Sequence, residues 1–143
     1  MEVDSLFQIC NVIAIVGWLL LVFAPRWSAP RLLSGLAIPA LLSGVYLMLI
    51  LIYYGRAEGG FGSLDAVAKL FQNRPVLLAG WVHYLAFDLF IGAWETRDAE
   101  RNGLPHLLVI PCLLLTFLFG PIGLLLYLLL RTWRTRGVIP PVW

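Results

Sequence analysis

Pro75-Val76-Leu77-Leu78-Ala79-Gly80-Trp81-Val82-His83-Tyr84-Leu85-Ala86-Phe87-Asp88-Leu89-Phe90-Ile91-Gly92-Ala93-Trp94 is an apolar run interrupted by one acid and one histidine. A helix of about 20 residues rises about 30 Å, the thickness of a bilayer's hydrocarbon core. Pro75 suits a first helical turn, where its missing N–H has no intrahelical partner to lose. The stretch predicts a membrane-spanning helix, and the polar groups inside it are the first functional candidates. A charged aspartate at mid-membrane costs about 2.5–3.5 kcal/mol on insertion scales, so an ionisable residue at that depth faces protein, water or a ligand.

The surrounding chain has the same character. Of its 143 residues 61% are hydrophobic and 13% charged, and the mean hydropathy is +0.89. One integral membrane domain over 1–143 is expected, with no room for a separate soluble domain. A first span runs over about 6–24, closed by Pro25-Arg26-Trp27, where a helix breaker, a cation and an interfacial aromatic coincide. The acidic start Met1-Glu2-Val3-Asp4 lacks a basic n-region, which predicts a retained helix rather than a cleaved signal. A second span covers about 32–54, with Pro39 inside it, expected to kink the helix or mark its ordered start, and small residues Ser34, Gly35, Ser43 and Gly44 that allow close helix approach. The quoted run gives the third span, about 75–94, and the fourth covers about 105–130. There Pro111 and Gly120-Pro121-Ile122-Gly123 predict a kink or local unwinding.

Between spans two and three the pattern shortens. Over about 59–73, Leu64, Val67, Ala68 and Phe71 recur at helical spacing, Asp65, Lys69 and Gln72 fall elsewhere, and Ser63 is placed to cap. Too short to span, this segment is expected to lie on the membrane surface. The fold class is therefore all-α, a four-helix transmembrane bundle with a short interfacial amphipathic helix. Four spans put both termini on one side, with Arg56, Lys69, Arg74, Arg131, Arg134 and Arg136 there and Arg26, Arg31, Arg97 and Arg101 on the other. The positive-inside tendency then favours N-in and C-in.

No basic stripe suited to a phosphate backbone is present, so nucleic acid is excluded as a partner and membrane lipid is the expected one. Cys10 and Cys112 lie in separate apolar runs without CxxC spacing and read as packing residues. On a helix turning about 100° per residue, Asp88 shares a face with Trp81, Tyr84 and Glu95, whereas His83 falls near Gly80, Phe87, Phe90 and Trp94. Each is expected to reach a neighbouring span: His83 as an interhelical hydrogen-bonding group, a ligand contact or a proton carrier, Asp88 as half of a pair or as part of a pocket. The flanking aromatics Trp81, Tyr84, Phe87 and Trp94 are the candidate ligand-binding residues. His106 joins them at the polar connection after span three, where Glu95 and His106 can meet and Asn102 can cap the fourth helix. No metal is predicted. His83 and His106 differ in depth by about 15 Å, which disfavours a shared haem, and bacteriochlorophyll on His83 is a weaker possibility.

Trp81-x-His83-x-Leu85-Ala86-x-Asp88-Leu89-Phe90-x-Gly92-x-Trp94, then Pro105-His106, then Phe119-Gly120-Pro121-x-Gly123-Leu124-Leu125, resembles the abscisic-acid-deficient-4-like family over about residues 5–133. That family is named for a plant chloroplast membrane protein needed to convert violaxanthin to neoxanthin. The resemblance implies a small membrane protein associated with binding or isomerising a carotenoid, a xanthophyll in the named case. Opening an epoxide to an allene needs an acid to protonate oxygen and a base to remove a proton, roles the resemblance lends to Asp88 and His83. The absence of an Arg- and Ser-rich transit segment fits a bacterial inner or intracytoplasmic membrane. The alternative expectation is a non-enzymatic accessory subunit of a larger photosynthetic pigment-protein complex.

Overall fold

The computed structural model describes residues 2–134; Arg136, counted above among the terminal cations, lies outside them. Six helices follow one another: α1 (Val3–Phe23), α2 (Ser28–Arg56), α3 (Leu64–Leu70), α4 (Arg74–Arg101), α5 (His106–Phe119) and α6 (Pro121–Arg134). No strand occurs among the described residues. Helices α1, α2 and α4, of 21, 29 and 28 residues, are long and apolar enough to cross a membrane. Large apolar side chains stand exposed on all of them, the surface expected where lipid rather than water is the solvent.

Local chemistry accounts for the element boundaries. Asn73 caps α4 by accepting from the Val76 N–H (3.3 Å), and Ser63 caps α3 by accepting from Ala66 (3.1 Å). Leu64 and Phe71 of α3 are exposed, as a surface helix requires. Lys69 of α3 lies 2.8 Å from Glu58 and holds that carboxyl below its ordinary range; fully exposed, the pair adds little to stability. Within α2 the helix widens into a π turn over Leu33–Ala37, just before Pro39. The Ile38 N–H reaches back to Leu33, so Pro39 is absorbed without a break. Ser34, inside this turn, donates its hydroxyl to the Gly17 carbonyl (2.9 Å) and ties α2 to α1. Helices α1 and α4 run parallel: Arg74 pairs with Asp4, Trp81 with Asn11, and Gly92 admits the Trp18 ring so closely that a Cβ there would lie 2.6 Å from it.

The fourth span departs from expectation. Helix α5 passes Pro111 without a break, but Gly120 takes a left-handed conformation (φ 48°) and the chain reverses. A Cβ on Gly123 would sit 2.0 Å from the Thr116 nitrogen, so the two arms touch just past the turn. Thr116 then meets Glu95, Gly120 meets Asp88, and Arg131 meets Asp98. Helix α5 therefore runs antiparallel to α4, and α6 runs back parallel to it. Each arm has 14 residues, about 21 Å, short of the roughly 30 Å core. In place of a single crossing over 105–130 the chain forms a hairpin that reaches half-way along α4 and returns.

Two further expectations change with it. The described chain begins at one end of the bundle, where Asp4 meets Arg74, and ends at the other, where Arg131 meets Asp98; its ends do not share a side. Asn102 does not cap α5, whose N-cap is Pro105; it closes α4, its side-chain amide donating to the Asp98 carbonyl (2.7 Å). With Cys10 and Cys112 replaced by alanine, single cysteines at Ser63 and Thr132 are expected to react with an impermeant maleimide from opposite faces of sealed vesicles. Labelling of both from one face would mean that the last segment crosses.

Candidate functional site

One face of α4 carries the polar chemistry of the bundle. Arg74, Leu77, Trp81, Tyr84, Asp88, Ile91, Glu95 and Asp98 recur at alternating spacings of three and four, the seam that a straight helix turns toward one neighbour. Burial is graded along it. Leu77 and Trp81 are 52% and 41% exposed, Tyr84 and Asp88 are half-buried, and Glu95 and Asp98 are 0% and 6% exposed. The hairpin is the reason: it covers the seam from Asp98 down to Asp88 and stops.

Beneath it, the two upper carboxyls of the covered half have hydrogen-bond partners. Asp98 accepts from the Tyr127 hydroxyl (2.6 Å) and from the Arg131 guanidinium (2.6 and 3.3 Å), and Tyr127 packs edge-on against Trp94 (5.6 Å). Glu95 accepts from the Thr116 hydroxyl at 3.0 and 3.2 Å. Asp88 differs. Its carboxyl lies against Gly120, where a Cβ would come within 3.0 Å of both oxygens, and its Oδ2 is buried without a hydrogen-bond partner. Tyr84 stands beside it, but the Tyr84 hydroxyl donates to the Phe117 carbonyl at the hairpin tip (2.7 Å).

Below the tip the seam opens into a groove of about 420 Å³ between α1, the end of α3 and α4, walled by Phe7, Phe71, Leu77 and Trp81, with Arg74 and Asp4 at its outer rim. Trp81 is fixed by donating its indole N–H to Asn11 (3.1 Å), and Phe7, Trp81 and Tyr84 stand in ring contact at 5.8 and 5.3 Å. The groove's wall on α4 ends at Trp81, and the seam continues past Tyr84 to Asp88, about 21 Å along α4 from Arg74. A mostly apolar cleft of this size, with Asp4 and Arg74 at its rim, has the anatomy of a small-molecule site.

The sequence-predicted site residues fall in four places. Trp81, Tyr84 and Asp88 come together here. His83 and Phe87 do not: they stack on each other (4.5 Å) on the opposite, exposed side of α4, with Tyr46 of α2 at 5.7 Å from the imidazole. Trp94 is covered by the hairpin. His106 lies at the far end, its Nε2 3.0 Å from the Val22 carbonyl, so Glu95 and His106 do not meet. No group of three or more metal-ligating side chains occurs among the described residues. Phe7, Phe71 and Gly120 were not among the candidates; the three-four spacing continued back to Arg74 signals the wall on α4, but nothing local marks which residues of α1 and α3 face it.

A family model described as ABA DEFICIENT 4-like matches residues 5–127 of the chain. No curated protein and no solved structure matches. Because the site's roof is held by Arg131 on Asp98, Arg131→Met is expected to destabilise the protein by about 3–5 kcal/mol, leaving a buried charge unpaired. Adding Asp98→Asn is expected to recover part of that loss in thermal unfolding followed by circular dichroism in detergent. A double variant no more stable than the single one contradicts a buried ion pair.

Proposed function

The chain belongs to the ABA DEFICIENT 4-like family, and from that premise we propose that it is an integral membrane protein that takes one end of a carotenoid into the groove beneath the hairpin and isomerises it, with Asp88 as the acid–base group. The observation that carries this reading is the buried Asp88 oxygen without a hydrogen-bond partner, two turns along α4 from an aromatic groove. A half-bilayer groove open along its side suits a long apolar molecule arriving from one leaflet. Phe7, Trp81 and Tyr84 offer π faces to a polyene, and Asp88, beyond them on the seam, has a buried oxygen without a hydrogen-bond partner, able to exchange a proton with an oxygen function on the end ring.

The isomerisation balances with that single residue. Asp88 donates its proton to an epoxide oxygen as the C–O bond breaks, leaving a hydroxyl and a carbocation. Its carboxylate then removes a proton from a neighbouring carbon, whose electrons form the new double bond, and Asp88 returns to its starting state. No second base is needed, and His83, on another face, takes no part. Orientation follows from the reversed hairpin: the end of the bundle carrying Arg26, Arg31, Arg97, Arg101, Arg131 and Arg134 outnumbers in cations the end carrying Arg56, Lys69 and Arg74. The positive-inside tendency then favours a cytoplasmic α4–α5 connection and an external N-terminal end.

A second reading rests on the outer face. His83 is exposed at mid-span beside a groove of about 300 Å³ lined by Gly35, Pro39, Ala40 and Phe90, which suits a non-enzymatic subunit docked on a pigment-bearing partner. Incubation of the purified protein in detergent with an epoxy-carotenoid, with products separated by chromatography, decides between them. Asp88→Asn is expected to lower turnover at least about 100-fold, the usual worth of a general acid, with His83→Ala leaving it unchanged. Full turnover by Asp88→Asn would remove the acid, and loss of activity on His83→Ala alone would move the site to the outer face.

A further inference from the structure

A second, separate cavity lies at the cationic end of the bundle, opposite the groove below the hairpin. It measures about 200 Å³ and is formed by the α1–α2 and α4–α5 connections, with Arg26, Thr96, Glu100 and His106 in its wall. Further down α1 and α5, and between them, runs a groove of about 260 Å³ walled by apolar and aromatic side chains, among them Val22, Leu113 and Leu114. The two meet at one contact: His106 of the polar cavity sets its Nε2 3.0 Å from the carbonyl of Val22, whose side chain lines the apolar groove. A polar chamber and an apolar groove linked through this one contact match an amphiphile, with a head in one and a chain in the other.

The sign of the head is set by the charges around it. Glu100, the acid in the chamber wall, is closed on Arg31, and Asp98 is closed on Arg131. Glu95 is buried on Thr116. Each acid at this end is therefore already engaged, while Arg26 faces the chamber among six arginines. Trp27, next in sequence and exposed, places the chamber at headgroup depth, where tryptophan concentrates. We propose that this chamber holds the phosphate headgroup of an anionic membrane lipid, with one of its acyl chains in the α1–α5 groove.

The position has a consequence for the hairpin. Phe117, which also lines the apolar groove, packs against Trp18 (5.5 Å), and its carbonyl receives the Tyr84 hydroxyl beside Asp88. A lipid chain in the groove braces α5 from outside and so supports the tip that roofs the other site.

The proposal does not depend on the carotenoid reading, and its test uses no carotenoid. The protein is reconstituted in bilayers of equal phosphatidylglycerol and phosphatidylcholine, released, and weighed with its retained lipid by native mass spectrometry. One phosphatidylglycerol per chain is expected, and Arg26→Gln is expected to lower its preference over phosphatidylcholine about fivefold, the worth of one arginine at an anionic surface. Leu114→Trp, which fills the groove and leaves every charge in place, is expected to reduce retention of both lipids while helicity by circular dichroism stays unchanged. Equal retention of the two lipids by the wild type, indifference to both substitutions, or displacement of the lipid by millimolar inorganic phosphate would overturn the proposal, the last by making the chamber a site for free phosphate.

Discussion

A guanidinium closing on a carboxylate inside an otherwise apolar bundle decides the course of the last quarter of the described chain. Arg131 and Asp98 are each 6% exposed, and either alone would carry a desolvation cost of several kcal/mol. Because they sit near the ends of two parallel helices, satisfying both at once draws α6 back alongside α4. The turn at Gly120 is then placed by distance: ten or eleven residues of helix separate each partner from the tip, about 15 Å on both arms, so Gly120 comes to rest at Asp88. The pair is a poor source of stability compared with well-packed apolar side chains. What it supplies is direction, and Tyr127, bonded to the same carboxylate, shares in it.

That depth creates the uneven face of α4. A helix that crossed the whole bilayer beside it would have covered the seam from Asp98 to Arg74. A hairpin of 14-residue arms covers half of it, and the residues left bare, Leu77 and Trp81, are the ones whose side chains wall the groove. Helix α1 cannot fill the gap, because its approach to α4 is already set by small residues on the adjoining face: Gly92 against Trp18 and Gly17 against Leu89. Close packing on one side of α4 and a shortened partner on the other together leave an opening half the depth of the membrane.

Much of this was legible in the residues. Runs of apolar length give α1, α2 and α4; Ser63 gives the cap of α3; and the 100° turn per residue places Asp88 with Trp81, Tyr84 and Glu95, away from His83. The Gly120-Pro121 break was legible too, but its outcome was not. A left-handed glycine followed by a proline at the first turn of the next helix serves a kink and a reversal equally well. What separates them is a contact between Asp98 and Arg131, 33 residues apart, which no local pattern encodes. The same long-range step moved the end of the described chain to the other end of the bundle, changed the charge count on which sidedness rests, and parted Glu95 from His106. Proline was the opposite case: Pro39 and Pro111 signal breaks, yet a π turn and an uninterrupted helix absorb them, because tertiary packing outweighs one lost hydrogen bond.

The three carboxyls on the covered part of the seam show where the fold is complete and where it is not. Asp98 receives a cation and a phenol; Glu95 receives a hydroxyl, with its oxygens 3.0 and 3.2 Å from the same Thr116 atom. At Asp88 the Oδ2 is buried without a hydrogen-bond partner, although the Tyr84 phenol stands beside the carboxyl; that hydroxyl donates to the Phe117 carbonyl at the tip. Leaving a buried oxygen without a partner costs about 1–3 kcal/mol, and an asparagine, threonine or leucine at this position would avoid an ionisable group altogether. Nor does the surrounding backbone compensate: Gly120 brings its Cα toward the carboxyl but no donor, and its own N–H is bonded to Thr116. Among the described residues, this is the one buried side-chain oxygen that the fold leaves without a partner, and it stands on the same seam as the apolar groove, two turns further along α4.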